Sequence, residues 1–352
     1  MTMTRREALR LMGTAGGSAL LAGSGLVTAP SLAAPKATTR RQAARIIRTL
    51  QGDVAPTALP DGAVLFHEHL SIQLGANPSF HGDVDLMISE VRAAAQDGVA
   101  LIVDGGHADM NRDMEALQRI ARETEVPIVA SGGYYMQRTY PADIASKSAE
   151  QISDDLVAEA TRDRLGAFGE IGQQGGELTA DERKVFEAVG QAHVRTGIPV
   201  FTHNAYSIRA TTVPRDAALR QLDILEDVGA TVANVCIGHM CCLDDPSADI
   251  AVQIARRGAY VGFDRVTLNA TMPDENRVVA AMALVEAGHA DKLLLSSDFY
   301  NVRSTKAEGG PGLAQTATVF APMLQAAGMP ESTLRQILVD NPRRFLAFVP
   351  RG

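Results

Sequence analysis

The chain has 352 residues, 46% of them hydrophobic, a formal charge of −8 and three cysteines. That acidity argues against nucleic acid or an anionic membrane as partner, and three cysteines make no disulfide framework. The length suits one α/β barrel better than a single two-layer domain.

The first residues read as a targeting segment. Arg5-Arg6, in Thr4-Arg5-Arg6-Glu7-Ala8-Leu9, precede an uncharged Ala-, Gly- and Leu-rich stretch from Leu11 to Pro30. Ser31-Leu32-Ala33 then offers small residues where a signal peptidase reads. The twin arginines resemble a twin-arginine export signal. Residues 1–33 are therefore expected to be a signal peptide, with the product periplasmic or secreted. The run is modest and Gly-rich, so no stable membrane span is expected after processing. Arg5, Arg6 and Arg10 against Glu7 give this segment +2, leaving −10 on residues 34–352.

Residues 34–352 are expected to form a single domain, with 34–51 a loose leader. Eight apolar, strand-like runs follow: Ala63–Phe66, Ala100–Asp104, Ile128–Ser131, Ala167–Glu170, Pro199–His203, Val232–His239, Ala259–Asp264 and Leu293–Asp298. Amphipathic stretches separate them, including Val84–Gln96, Met114–Glu123, Ala180–Thr196, Ala217–Val228 and Asn276–Ala287. Buried strands alternating with helices mean a parallel sheet with helices outside. Eight units predict an α/β fold closed as a (β/α)8, or TIM, barrel. No Gly-x-Gly-x-x-Gly follows an early strand, so a dinucleotide site has no support.

The first run ends in Phe66-His67-Glu68-His69. Residues two apart on a strand share a face, so both imidazoles point one way and Glu68 the other. Four more ligand-type residues close later runs: Glu170, His203, His239 and Asp298. In such barrels, catalytic groups sit where strands meet their following loops. Four imidazoles and two carboxylates are too many for one tetrahedral ion with an open position. They suit two divalent ions about 3.5–4 Å apart. The mixed N/O set favours Zn²⁺, with Mn²⁺, Co²⁺ or Fe²⁺ also compatible. His81 and His107 read as exposed loop residues, and His193 and His289 as structural. Cys236 reads as packing in a strand. Cys241-Cys242 read as loop or core residues rather than soft metal ligands. Asp264 and Arg265 end the seventh run, where they either orient a polar substrate or pair with each other.

Arg48-Thr49-Leu50-Gln51-Gly52-Asp53 ahead of His67-Glu68-His69-Leu70 resembles the opening of the phosphotriesterase-like family of the amidohydrolase superfamily. Ile237-Gly238-His239, the segment from Arg257 to Arg265, Leu294-Leu295-Ser296-Ser297-Asp298 and the segment from Asp340 to Leu346 match its later blocks in order. The resemblance implies a TIM-barrel hydrolase with a binuclear metal site. It assigns His67, His69 and Asp298 to the more buried metal, His203 and His239 to the more exposed one, and Glu170 to both. Many members bridge with a carboxylated lysine instead. It makes Asp298 the proton acceptor and Tyr135, in Ser131-Gly132-Gly133-Tyr134-Tyr135, the tyrosine reaching over the metals toward the substrate. It also implies a homodimer.

Two departures stand out. Met240-Cys241-Cys242 replaces the usual carboxylate after the strand-six histidine, and Asn204-Ala205-Tyr206 replaces a small hydroxyl residue after His203. Both weigh against a phosphotriesterase proton relay. The short stretch from Val266 to about Glu275 resembles the lactonase-like branch. The expected substrate is a small lactone or carboxylic ester, with phosphotriester hydrolysis as a side activity. The alternatives are a true phosphotriesterase, or an inactive metal-binding or sensory protein. Replacing Arg5 and Arg6 by lysine is expected to strand the protein in the cytoplasm; cell fractionation showing normal export would refute the twin-arginine reading.

Overall fold

The computed structural model describes residues 44–75, 79–208 and 213–351; the expected signal peptide lies outside them. A two-stranded antiparallel hairpin, β1 (Ile47–Arg48) and β2 (Asp53–Val54), comes first. Eight parallel strands follow: β3 (Ala63–Glu68), β4 (Val99–Asp104), β5 (Ile128–Gly132), β6 (Ala167–Gly172), β7 (Val200–His203), β8 (Val235–Ile237), β9 (Tyr260–Phe263) and β10 (Leu293–Leu295). They lie side by side in chain order. The first and last meet where the Asp298 N–H donates to the His67 carbonyl at 3.1 Å. This is a (β/α)8 barrel.

Each strand leads into a helix packed outside. The principal ones are α1 (Val84–Gln96), α2 (Met114–Thr124), α3 (Ala149–Arg162), α4 (Ala180–Thr196), α5 (Ala217–Asp227), α6 (Asp249–Arg257), α7 (Asp274–Glu286) and α8 (Ala321–Ala326). Their starts are written in the sequence. Asp83 and Asp113 accept from the first-turn N–H groups of α1 and α2. Ser148 with Gln151, and Thr179 with Glu182, form reciprocal capping boxes on α3 and α4. In α2, Ala116, Leu117, Ile120 and Ala121 are buried, the three-and-four spacing of a helix lying on a sheet.

Alternate strand residues fill the lumen. Val64, Phe66, Leu101, Val103, Val129, Ala167, Phe201, Cys236 and Leu294 form one buried cluster with Ile47, Phe345 and Leu346. The hairpin and C-terminal segment close the strands' N-terminal ends: Leu50 N–H donates to the Ile128 carbonyl, and Ile46 bridges to Phe348. This plug leaves the opposite rim for chemistry.

The expected strands and helices form, with shifted ends. The sixth run, expected over Val232–His239, is a strand only at Val235–Ile237, and His239 turns into the left-handed region at φ 55°. The eighth, expected over Leu293–Asp298, stops at Leu295, and Asp298 has φ 49°. There the backbone leaves the sheet to aim side chains inward. The helix expected from Asn276 starts at Asp274.

Phe66 is fully buried and meets Phe201 and Phe345 edge-on, each with ring centroids 6.2 Å away. Phe66→Ala is expected to cost about 3–5 kcal/mol, read by urea unfolding. A loss under about 1 kcal/mol, the size of an ordinary surface change, would contradict a packed lumen.

Candidate metal centre

The six residues singled out from strand ends converge at the open rim, all buried. Among these six, two groups of potential ligand atoms form, each within 4.8 Å internally: His67, His69, Glu170 and Asp298, and Glu170, His203 and His239; a third such group joins His67 and His239 to Asp264. Glu170 belongs to both. Its Oε1 lies 3.3 Å from His69 Nε2. Its Oε2 lies 3.4 Å from His67 Nε2, 2.8 Å from His203 Nδ1 and 3.3 Å from His239 Nε2. Asp298 Oδ1 lies 2.9 Å from His69 Nε2 and 4.0 Å from His67 Nε2.

The imidazoles are held from behind. Asp264 Oδ2 accepts from His67 Nδ1 at 2.9 Å, and Oδ1 from His239 Nδ1 at 2.9 Å and from the His239 backbone N–H at 2.6 Å. A carboxylate acceptor puts the proton on Nδ1 and turns the Nε2 lone pair inward, the usual support of a metal-binding histidine. His203 is reversed: its Nε2 meets Ser207 Oγ at 3.0 Å, leaving Nδ1 for the centre. The hydroxyl missing directly after His203 thus arrives four residues later.

Glu68 points away, as strand alternation requires. It accepts from Ser296 Oγ and Ser297 Oγ at 2.7 Å each, and from the backbone N–H groups of Ser297 and Phe299 at 2.9 Å each. That clamp sets the turn carrying Asp298. On the other side of the histidines, a Cβ on Gly105 would lie 3.0 Å from His67 Cδ2 and 3.3 Å from His69 Cε1. A side chain there would press on both rings.

The electrostatics point to cations. Three buried carboxylates, Glu170, Asp264 and Asp298, face one guanidinium, Arg265, whose Nη1 is 2.9 Å from Asp298 Oδ2. Burial opposes charging His69 and His239, but the adjacent carboxylates outweigh it and raise both to about 9. His203 goes the other way: burial and His239 push it to about 4. Burial works against ionising Asp298, yet Arg265 outweighs it and holds the carboxyl at about 2. His67 Nε2 is buried with no hydrogen-bond partner among the described residues. An orphaned nitrogen, buried carboxylates that favour positive charge beside them and a mixed N/O donor set fit divalent metal ions.

Three expectations need correction. Asp264 does not pair with Arg265; it is fully buried and bound to the two histidines, which leaves it no free oxygen to orient a substrate. Arg265 pairs instead with Asp298 and donates to Tyr300 Oη at 2.9 Å. His81 and His107 are not exposed. His81 packs on Phe80 and contacts the Phe299 carbonyl through Nε2, and His107 lies beside Asp109. Tyr135 is at the centre, its ring edge-on to His203 at 5.0 Å. Its backbone N–H is held by Asp109 Oδ2 at 2.8 Å. Asp109, Ser207 and Tyr300 were not anticipated, since one acid, serine or tyrosine in a loop carries no signal of its own.

A (β/α)8 barrel with imidazoles and carboxylates gathered at the strands' C-terminal ends is the architecture of metal-dependent hydrolases. The chain belongs to the phosphotriesterase family, whose model matches residues 46–346. It is 31% identical over 299 residues to the phosphotriesterase homology protein of Escherichia coli (strain K12), covering 81% of this chain and 98% of that protein. It is 26% identical over 354 residues to N-acetyltaurine hydrolase of Danio rerio, covering 86% and 98% respectively. A crystal structure of the Escherichia coli phosphotriesterase homology protein with phosphate in its active site matches with a TM-score of 0.73 at 29% identity, over 82% of this chain and 99% of that one. Among the described residues, no helix is long and apolar enough to cross a membrane.

Asp264→Asn keeps the shape but lets an amide N–H face one of the two Nδ1–H groups. Metal affinity is expected to fall about 10–100-fold, the usual cost of losing such a support, with the fold intact by circular dichroism. Unchanged metal titration would remove Asp264 from this role.

Proposed function

We propose that this hydrolase is binuclear and attacks the carbonyl carbon of a small lactone or carboxylic ester. The observation that supports it best is Glu170, one carboxylate within 3.4 Å of imidazoles from β3, β7 and β8. In this reading His67, His69 and Asp298 hold one ion, His203 and His239 the other, and Glu170 both. Two divalent ions, Zn²⁺ first among Zn²⁺, Mn²⁺, Co²⁺ and Fe²⁺, would supply a hydroxide nucleophile near neutral pH and polarise the substrate oxygen. Asp298, kept ionised beside Arg265, is the proton acceptor and returns a proton to the leaving group. Arg265 fixes Asp298 Oδ2 so that Oδ1 faces inward. Tyr135 walls the His203 side and offers its hydroxyl to the substrate oxygen.

Two features favour a planar ester over a phosphotriester. The connection from Phe263 to Asp274 is short, leaving little wall for three separate ester groups. Cys241 and Cys242 stand where a relay carboxylate would. A small amide is the second reading, favoured by the N-acetyltaurine hydrolase relative. By the family resemblance the product is also proposed to be a homodimer, exported after folding.

The purified protein is expected to hold about two divalent ions per chain, and Glu170→Ala to lower that content. Bicarbonate should not raise recovered activity on metal reconstitution, because Glu170 is already a carboxylate. A panel of lactones, aryl esters, N-acyl amides and paraoxon decides the substrate by kcat/KM. A paraoxon value more than about tenfold above every carbonyl substrate, about 1.4 kcal/mol in barrier, would restore the phosphotriesterase reading.

A further inference from the structure

All three cysteines are free and buried. Cys236 is spent in the lumen packing. Cys241 and Cys242 are not accounted for by the site described above. They occupy the short turn Met240–Cys242 that follows His239 and are adjacent in the chain. Cys241 Sγ accepts from the Arg265 backbone N–H at 3.3 Å. The Cys242 N–H donates to the His239 carbonyl at 3.0 Å. The pair therefore touches the backbones of a candidate ligand, His239, and of Arg265, whose guanidinium pairs with Asp298.

Cys241 lines a cavity of about 200 Å³ with Leu243, Asp244, Met272 and Arg277, and the exposed Val279 and Asn276 stand at its edge. None of the six inward-facing candidate ligands lines this cavity.

We propose that Cys241 and Cys242 form a vicinal dithiol that small peroxides oxidise to a reversible disulfide, and that this oxidation lowers turnover. One thiolate attacks the O–O bond of hydrogen peroxide, giving a sulfenic acid and, after proton transfer, water. The neighbouring thiol then displaces the sulfenic oxygen as a second water and closes the S–S bond. Two thiols lose two electrons and one peroxide gains them. Adjacent Cα atoms stand about 3.8 Å apart, below the usual disulfide range of roughly 4.4–6.8 Å. The bond is strained, and strained disulfides are the readily reduced ones. Drawing the sulfurs to about 2.05 Å takes Cys241 Sγ off the Arg265 N–H and distorts the turn behind His239. Arg265 then loses a backbone anchor, and with it the fixed aim of Asp298.

The effect on turnover rests on the functional reading given above; disulfide formation does not. The test treats zinc-loaded full-length protein with hydrogen peroxide. Intact mass, thiols titrated after denaturation, zinc release and turnover of the best carbonyl substrate are then followed. Titratable thiols are expected to fall from three to one, with the mass lower by two hydrogens. Turnover should fall about fivefold or more, the lower end of ordinary site-to-site coupling, and dithiothreitol should restore it. Cys242→Ala and, separately, Cys242→Ser should keep basal turnover and lose the response. Three thiols surviving peroxide, an equal loss in both variants, or a disulfide that leaves turnover unchanged would each overturn the proposal. If no substrate is turned over, the functional reading has failed. Mass and thiol count then still decide the disulfide, and a zinc-release rate unchanged by oxidation overturns the coupling.

Discussion

One buried carboxylate organises the open end of the barrel. Asp264, at the end of β9, accepts from His67 on β3 and His239 after β8, strands that do not neighbour each other in the sheet. Burying an ionised carboxylate is expensive unless it is paired and hydrogen-bonded. Here three donors compensate it: two ring N–H groups and the His239 backbone N–H. The return is orientation, because each ring is left with one proton placement and one inward lone pair. The centre's geometry is thus pinned by a carboxylate buried behind the imidazoles.

The same economy recurs around it. Glu68 fixes the turn of Asp298 from the far face of β3. Ser207 fixes His203. Asp109 fixes the backbone of Tyr135. Two inward-facing residues, His239 and Asp298, also have left-handed backbones that side chains rarely adopt. Such conformations cost about 1–3 kcal/mol each and persist only where surrounding contacts over-determine them. Those contacts are the Asp264 and Glu68 clamps.

The fold was legible in the sequence because a parallel strand buried on both faces reads as a continuous apolar run, and eight such runs alternate with helical stretches. The inward set was legible because barrels place chemistry at strand ends, and His67-Glu68-His69 declares its own facing. Three things were hidden. Asp264 looked like a substrate residue because its partners come from strands one and six, and sequence does not show which side chains cross a lumen. His81 and His107 looked exposed because loop composition resembles surface composition, while these loops fold back over the rim. The ends of strands six and eight were misjudged because Gly238-His239 and Ser296-Ser297-Asp298 carry the chain on past the last ladder bond without a turn signal; what stops the strands is the capture of the His239, Ser297 and Phe299 N–H groups by the carboxylates of Asp264 and Glu68.

The seam between β10 and β3 shows why fold and site cannot be separated here. Among the described residues no ladder pairing joins these two strands. The His67 carbonyl accepts from the Asp298 N–H, Ser296 Oγ accepts from the His67 N–H at 3.0 Å, and Ser296 donates in turn to Glu68. The bonds that close the barrel therefore run through residues of the inward cluster and their immediate supports. A parallel ladder would have closed the seam with generic backbone bonds, free of any particular side chain. Closing it this way ties His67 and Asp298 rigidly to each other, although 231 positions separate them in the chain. Under the proposed assignment these two groups would share one ion, and that rigidity would serve it, since a displacement of about 1 Å at a reacting centre can cost a hundredfold in rate.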